Sequence, residues 1–104
     1  MASWVPVVAY RDFYDVPHLL AARVGARLLP FESRFDEALD DYEPDYSVYE
    51  LPSADLPEGS WEHLSHGLTR LTAVPLRDVE FGHDGECRYA LRSTALEALG
   101  LKGD

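Results

Sequence analysis

The residues of this chain that could do chemistry are concentrated in one acidic segment, residues 32–58. The segment carries ten carboxylates and a single base, Arg34, so its formal charge is −9 within a chain whose total is −10. A surface of one sign attracts partners of the opposite sign and repels nucleic acid and anionic lipid. The first function that the sequence indicates is therefore an electrostatic contact surface.

Aromatic residues are interspersed with these carboxylates. The chain places five of its twelve aromatics in or beside the segment, namely Phe31, Phe35, Tyr42, Tyr46 and Tyr49. A ring face accepts an arginine or lysine cation through a contact of roughly 0.5–2 kcal/mol. We therefore predict an interaction module that binds a partner with a basic surface. The predicted contact residues are Asp36, Glu37, Asp40, Asp41, Tyr42, Glu43, Asp45 and Tyr46.

Two other interpretations of the segment stay open at the level of sequence. Its carboxylates could form a solvated face that only keeps the protein soluble, with the aromatics turned towards the core. They could also imitate the phosphate backbone of DNA, in which case the DNA of the partner would compete for the same site.

Two metal-site hypotheses also arise. The clustered carboxylates are suitable oxygen ligands for Ca²⁺ or Mg²⁺, but the spacing of a calcium-binding loop is absent. Glu62, His63 and His66 are the basis of an alternative function as a small metal-dependent hydrolase, because two histidines at i,i+3 could share a zinc ion. The order His-Glu-x-x-His does not occur, so helix-end histidines are the favoured interpretation. We predict no cofactor and no metal site.

Other catalytic patterns are missing. There is no Gly-x-Ser-x-Gly elbow, and the glycine spacings fit neither dinucleotide nor P-loop patterns. Cys87 lies in an alternating stretch, as a small core residue would. Four arginines between residues 70 and 92 are mixed with acids and leave little positive field for phosphates. The sequence leans away from an enzyme and from direct nucleic-acid binding.

Length and composition bound the architecture. At 104 residues, of which 46% are hydrophobic, the chain is predicted to form a single compact domain over 1–104. Its core would be modest, so a structural subunit of a homo-oligomer, such as a homodimer, is a third hypothesis. One cysteine, and a start with neither a basic leader nor a long apolar run, predict a cytoplasmic protein without a membrane span.

Seven prolines divide the chain into short elements. Apolar alternation predicts strands at 5–10, 19–24, 27–31, 46–51, 68–74, 79–81 and 87–91. The second and third form a predicted hairpin around Gly25, and Pro30 places the third at a sheet edge or strand end. Cap residues and glycines predict short helices at 33–39, 60–67 and 93–100.

These elements predict a mainly β protein. We expect five or six of these seven segments to form the short strands of a small antiparallel barrel or bent sheet, for which an SH3-like arrangement is one form, with two or three helices of one to two turns. A ferredoxin-like α+β sandwich is less favoured because the central helix candidates are too short.

Overall fold

A computed structural model describes residues 4–14, 16–24, 26–51, 68–83, 85 and 89–94. Its strands are β1 (Val5–Tyr14), β2 (Val16–Val24), β3 (Arg27–Glu32), β4 (Phe35–Asp36), β5 (Asp41–Tyr42), β6 (Asp45–Tyr49), β7 (Arg70–Pro75), β8 (Glu80–His83) and β9 (Tyr89–Arg92). A 3-10 helix, Leu76–Asp78, joins β7 to β8.

Seven of these strands form one antiparallel sheet in the order β7-β6-β3-β2-β1-β9-β8. The sheet curls into a half-barrel, while β4 and β5 form a separate two-stranded ribbon. The prediction of a mainly β fold with a bent antiparallel sheet is confirmed.

The predicted hairpin of β2 and β3 is confirmed and lies near the centre of the sheet. The prediction that Pro30 marks a sheet edge is wrong, because β3 pairs with β2 on one side and β6 on the other. Proline cannot donate to a ladder. Pro30 lies opposite Ala21 of β2, and the ladder to β6 covers only Phe31 and Glu32, so no bond to β6 requires an N–H from Pro30.

The core lies against one face of the curled sheet. Its buried members are Val5, Leu20, Ala22, Val24, Leu29, Phe31, Tyr46, Val48, Val74 and Leu91. Alternate residues of β2 and β3 point to the opposite face, where Leu19, Ala21 and Leu28 form a second buried cluster. The central hairpin is therefore buried on both faces.

The helix predicted at 33–39 is wrong, since the structure has β4, a turn and β5 there. The side chain of Asp36 explains the difference, because its Oδ1 accepts the backbone N–H of Ala38 at 2.9 Å. Such a bond stabilises a turn in competition with a helix. The carbonyl of Asp36 accepts the N–H of Leu39 at 3.1 Å, and Asp40 then takes a left-handed φ of 51°, which closes the hairpin.

The later strands agree with the sequence prediction to within a few residues. β6 to β9 overlap the segments expected at 46–51, 68–74, 79–81 and 87–91. The helix predicted at 60–67 and most of that at 93–100 lie outside the described residues, as does Cys87. Within the described part of the chain, no helix has the length and apolarity to cross a membrane.

Candidate functional site

The predicted acidic surface centres on the β4–β5 ribbon, residues 35–42, which we call the acidic hairpin. Phe35 pairs with Tyr42, and Asp36 pairs with Asp41. Every residue from Glu37 to Asp41 is exposed, and Asp36 is half-buried. Beyond the hairpin, Glu43 is half-buried and Asp45 is exposed. The six predicted carboxylates therefore lie on one short stretch of surface.

Two of the eight carboxylates between residues 32 and 50 are neutralised by arginines. Arg34 Nε lies 2.8 Å from Glu32 Oε1, and Arg27 Nε lies 2.6 Å from Glu50 Oε2. The hydrogen bond from Arg27 lowers the pKa of the Glu50 carboxyl. Within the described residues, no ion pair involves any of the other six, which are Asp36, Glu37, Asp40, Asp41, Glu43 and Asp45. The negative field therefore comes mainly from the acidic hairpin and the residues just after it.

Backbone contacts attach the acidic hairpin to the sheet. The N–H of Ser33 donates to the carbonyl of His18 in β2, and the Ser33 hydroxyl donates to the carbonyl of Glu43, both at 2.8 Å. The N–H of Glu43 donates to the carbonyl of Arg34, also at 2.8 Å. Ser33, predicted as a helix cap, instead joins the two ends of the hairpin.

Ring contacts fix the aromatic side chains of the hairpin. The ring of Tyr42 stacks on His18, with centroids 3.6 Å apart and an interplanar angle of 11°. His18 itself is only 5% exposed. Phe35 meets Tyr42 nearly at a right angle, with centroids 5.4 Å apart and an angle of 87°, and remains 52% exposed. Tyr42 is thus held from β2, whereas Phe35 presents ring surface to solvent.

These two rings and two carboxylates surround an open recess. The recess has a volume of about 320 Å³ and is lined by Phe35, Asp40, Asp41 and Tyr42. Oδ1 of Asp41 accepts the backbone N–H of Tyr42 at 2.7 Å, which orients that carboxylate beside the ring. Aromatic surface next to carboxylates is chemically suited to a cation.

Tyr46 was predicted as a contact residue, but the structure places it in the core. Its side chain is 0% exposed, and its hydroxyl donates to the carbonyl of Pro17 at 2.6 Å. Burial raises the pKa of the Tyr46 hydroxyl. The alternation of the strand already placed Tyr46 on the same side as Val48, and that signal identifies it as a core residue.

Sequence reasoning also missed Phe35 and His18 as members of the site. Phe35 is one of the aromatics of the acidic segment but is not among the predicted contact residues, because a helix expected at 33–39 does not reveal its exposure in a hairpin. His18 lies 24 positions before Tyr42, and only the fold brings the two rings together.

The metal hypotheses are not advanced by the geometry. Among the side chains that the structure describes, no three His, Cys, Asp or Glu are arranged to hold a metal ion. Glu62, His63 and His66 lie outside the described residues. The zinc hypothesis therefore stays a prediction.

Comparison with family models, curated proteins and solved structures finds no match to this chain.

Proposed function

We propose that this protein is a small interaction module that binds a positively charged protein surface through the acidic hairpin. The observation that carries the proposal is the grouping of six carboxylates between residues 36 and 45, none ion-paired within the described structure, two of which line a recess with the exposed ring of Phe35. The field draws a basic partner in, and ring surface supplies contact area once the partner has arrived.

The hairpin is well placed for this role. It is attached to β2 through Ser33 and the stacked His18, so its backbone and the Tyr42 ring are held in position before a partner arrives. A binding surface that is already ordered loses less conformational entropy on association. The half-barrel then acts as the scaffold and the acidic hairpin as the contact element.

Further parts of the proposal concern the location of the protein in the cell and its architecture. We propose a cytoplasmic location, for which the single cysteine of the chain is the support. An SH3-like order of strands, the additional short helices and a homodimer stay predictions.

The test compares capture of partners by the wild-type protein and by a variant with the six carboxylates neutralised. Tagged protein is incubated with lysate of its own source, and retained proteins are identified by mass spectrometry. We expect basic proteins that are released between about 50 and 500 mM salt, because ionic strength screens exposed charges. The variant should lose them. Its substitutions are Asp36→Asn, Glu37→Gln, Asp40→Asn, Asp41→Asn, Glu43→Gln and Asp45→Asn.

A matched control separates the hairpin from net charge alone. Neutralising six carboxylates outside 32–58 changes the formal charge from −10 to −4, as the first variant does. The control should retain the partners. Equal loss from both variants, or salt-insensitive retention by the first variant, would contradict the proposal. The control substitutions are Asp12→Asn, Asp15→Asn, Asp78→Asn, Asp84→Asn, Glu97→Gln and Asp104→Asn.

A further inference from the structure

We infer that the recess of the acidic hairpin receives the guanidinium group of an arginine side chain from the partner. This inference rests on the proposed function and specifies its chemistry. A diffuse negative field does not distinguish arginine from lysine, whereas a recess with a ring wall and adjacent carboxylates can.

The ring wall is supplied by Phe35. Phe35 is about half exposed, at 52%. Tyr42 is the other ring that lines the described recess, and the two rings meet at 87°. A guanidinium is planar and weakly hydrated, so it stacks on such a ring with little loss of hydration. An ammonium is a compact, strongly hydrated charge and gains less from the same surface.

The carboxylates are supplied by Asp40 and Asp41. Both line the recess, and both side chains are exposed. The bond from the N–H of Tyr42 occupies one oxygen of Asp41, and that oxygen can still accept a second donor. A guanidinium carries five N–H donors in a fixed fork and can engage a carboxylate while its plane lies on a ring.

A quaternary ammonium fits the described recess less well. Such groups are bound in cages that offer several ring faces. Here one face of Tyr42 is occupied by His18 at 3.6 Å, so Phe35 supplies most of the available ring surface. One ring beside two carboxylates matches a planar cation that stacks on one side and donates along its edge.

The test uses four blocked tripeptides, Gly-Xaa-Gly, in which Xaa is arginine, lysine, trimethyl-lysine or citrulline. Each is titrated into the full-length protein at low salt and followed by the backbone amide signals in NMR. We expect the arginine peptide to shift the signals of residues 35–42 and to bind at least about threefold more tightly than the lysine peptide. The uncharged citrulline peptide should produce no saturable shift.

Two variants locate the contact. Phe35→Leu keeps every charge and removes the ring, so it should abolish the preference for arginine over lysine. Asp78→Asn removes one exposed carboxylate outside 32–58 that does not line the recess and should leave that preference intact. Unchanged amide signals away from the substituted residue and from residues 35–42 show that each variant is folded.

The outcomes separate this inference from the proposed function. Equal binding of arginine and lysine, tighter binding of trimethyl-lysine, or an arginine preference that survives Phe35→Leu would each overturn the arginine recess. So would the absence of shifts with every peptide. Charge-dependent capture of basic proteins from lysate would still support the acidic surface in those cases, whereas its absence overturns the proposed function itself.

Discussion

Tyr42 and Tyr46 are four residues apart, and the sequence predicts both as contact residues. Tyr42 stacks on His18 at the edge of the recess. The side chain of Tyr46 lies in the core. Its ring meets Phe31 edge to face, with centroids 5.8 Å apart, and its hydroxyl donates to the carbonyl of Pro17. Composition identifies the segment, but the direction of each side chain decides whether a residue binds a partner or stabilises the core.

The first prediction concerns Tyr46→Phe. The substitution keeps the ring and removes the hydroxyl, so the buried carbonyl of Pro17 loses its donor at 2.6 Å. We expect the free energy of unfolding at pH 7 to fall by about 1–2 kcal/mol, measured by urea denaturation. An unchanged free energy of unfolding would show that the carbonyl finds another donor.

The wild type and Tyr46→Phe should also differ in how the free energy of unfolding depends on pH. Burial raises the pKa of Tyr46 in the folded protein above its usual value of 10.0. Above that pH the unfolded chain releases the proton while the folded chain keeps it, so the free energy of unfolding of the wild type falls. The variant lacks this contribution. The stability difference between the two should narrow by about 1.4 kcal/mol between about pH 9 and pH 11, and a constant difference would contradict the assignment.

At the scale of elements, the β2–β3 hairpin holds the fold together because both of its faces are buried. Leu20 belongs to the main core, and Leu28 belongs to the cluster on the opposite face; both are 0% exposed. The acidic hairpin differs, since Leu39 in its turn is 60% exposed. The scaffold and the contact element are therefore expected to tolerate substitution differently.

The second prediction uses three Leu→Ala variants. Leu20→Ala and Leu28→Ala should each lower the free energy of unfolding by about 2–5 kcal/mol, because each leaves a cavity in a buried cluster. Leu39→Ala should change it by less than about 0.5 kcal/mol. Chemical denaturation of the three variants measures both effects. A mild effect of Leu28→Ala alone would mean that the second cluster contributes little to stability.

The contrast between the two hairpins also explains what could be read from the sequence. The β2–β3 hairpin is visible because apolar strands flank Gly25, which is a local signal. The acidic hairpin is not, because its turn depends on bonds that the N–H groups of Ala38 and Leu39 donate to Asp36. The central position of Pro30 likewise depends on where the β6 ladder begins. The carboxylates of the site were predictable from composition, whereas the recess required the fold.

At the scale of the whole molecule, most of the net charge of −10 is carried by one segment. Like charges crowded on a folded surface repel one another and destabilise the compact state. The repulsion is most direct across the acidic hairpin, where Asp36 lies opposite Asp41 in the ladder. Like charges in that position are destabilising. The surface proposed to bind a partner should therefore lower the stability of the free protein.

The third prediction concerns the loss of stability caused by this repulsion, and the six-acid variant of the hairpin region tests it. At about 10 mM salt its free energy of unfolding in urea should exceed that of the wild type by about 1–2 kcal/mol, summed over a few close like-charge pairs. Near 500 mM salt the difference should largely vanish because the charges are screened. The control with six carboxylates neutralised outside 32–58 has the same formal charge of −4.

That control decides between a local and a diffuse origin of the repulsion. If it gains as much stability as the hairpin variant, the cost follows from net charge alone, and the clustering has no energetic consequence of its own. If the gain is confined to the hairpin variant, the same carboxylates that destabilise the free protein are available to a cationic partner. Binding a cationic partner would then relieve the repulsion. The resulting rise in the free energy of unfolding of the wild type should include the increase that neutralising the hairpin carboxylates produces in the six-acid variant.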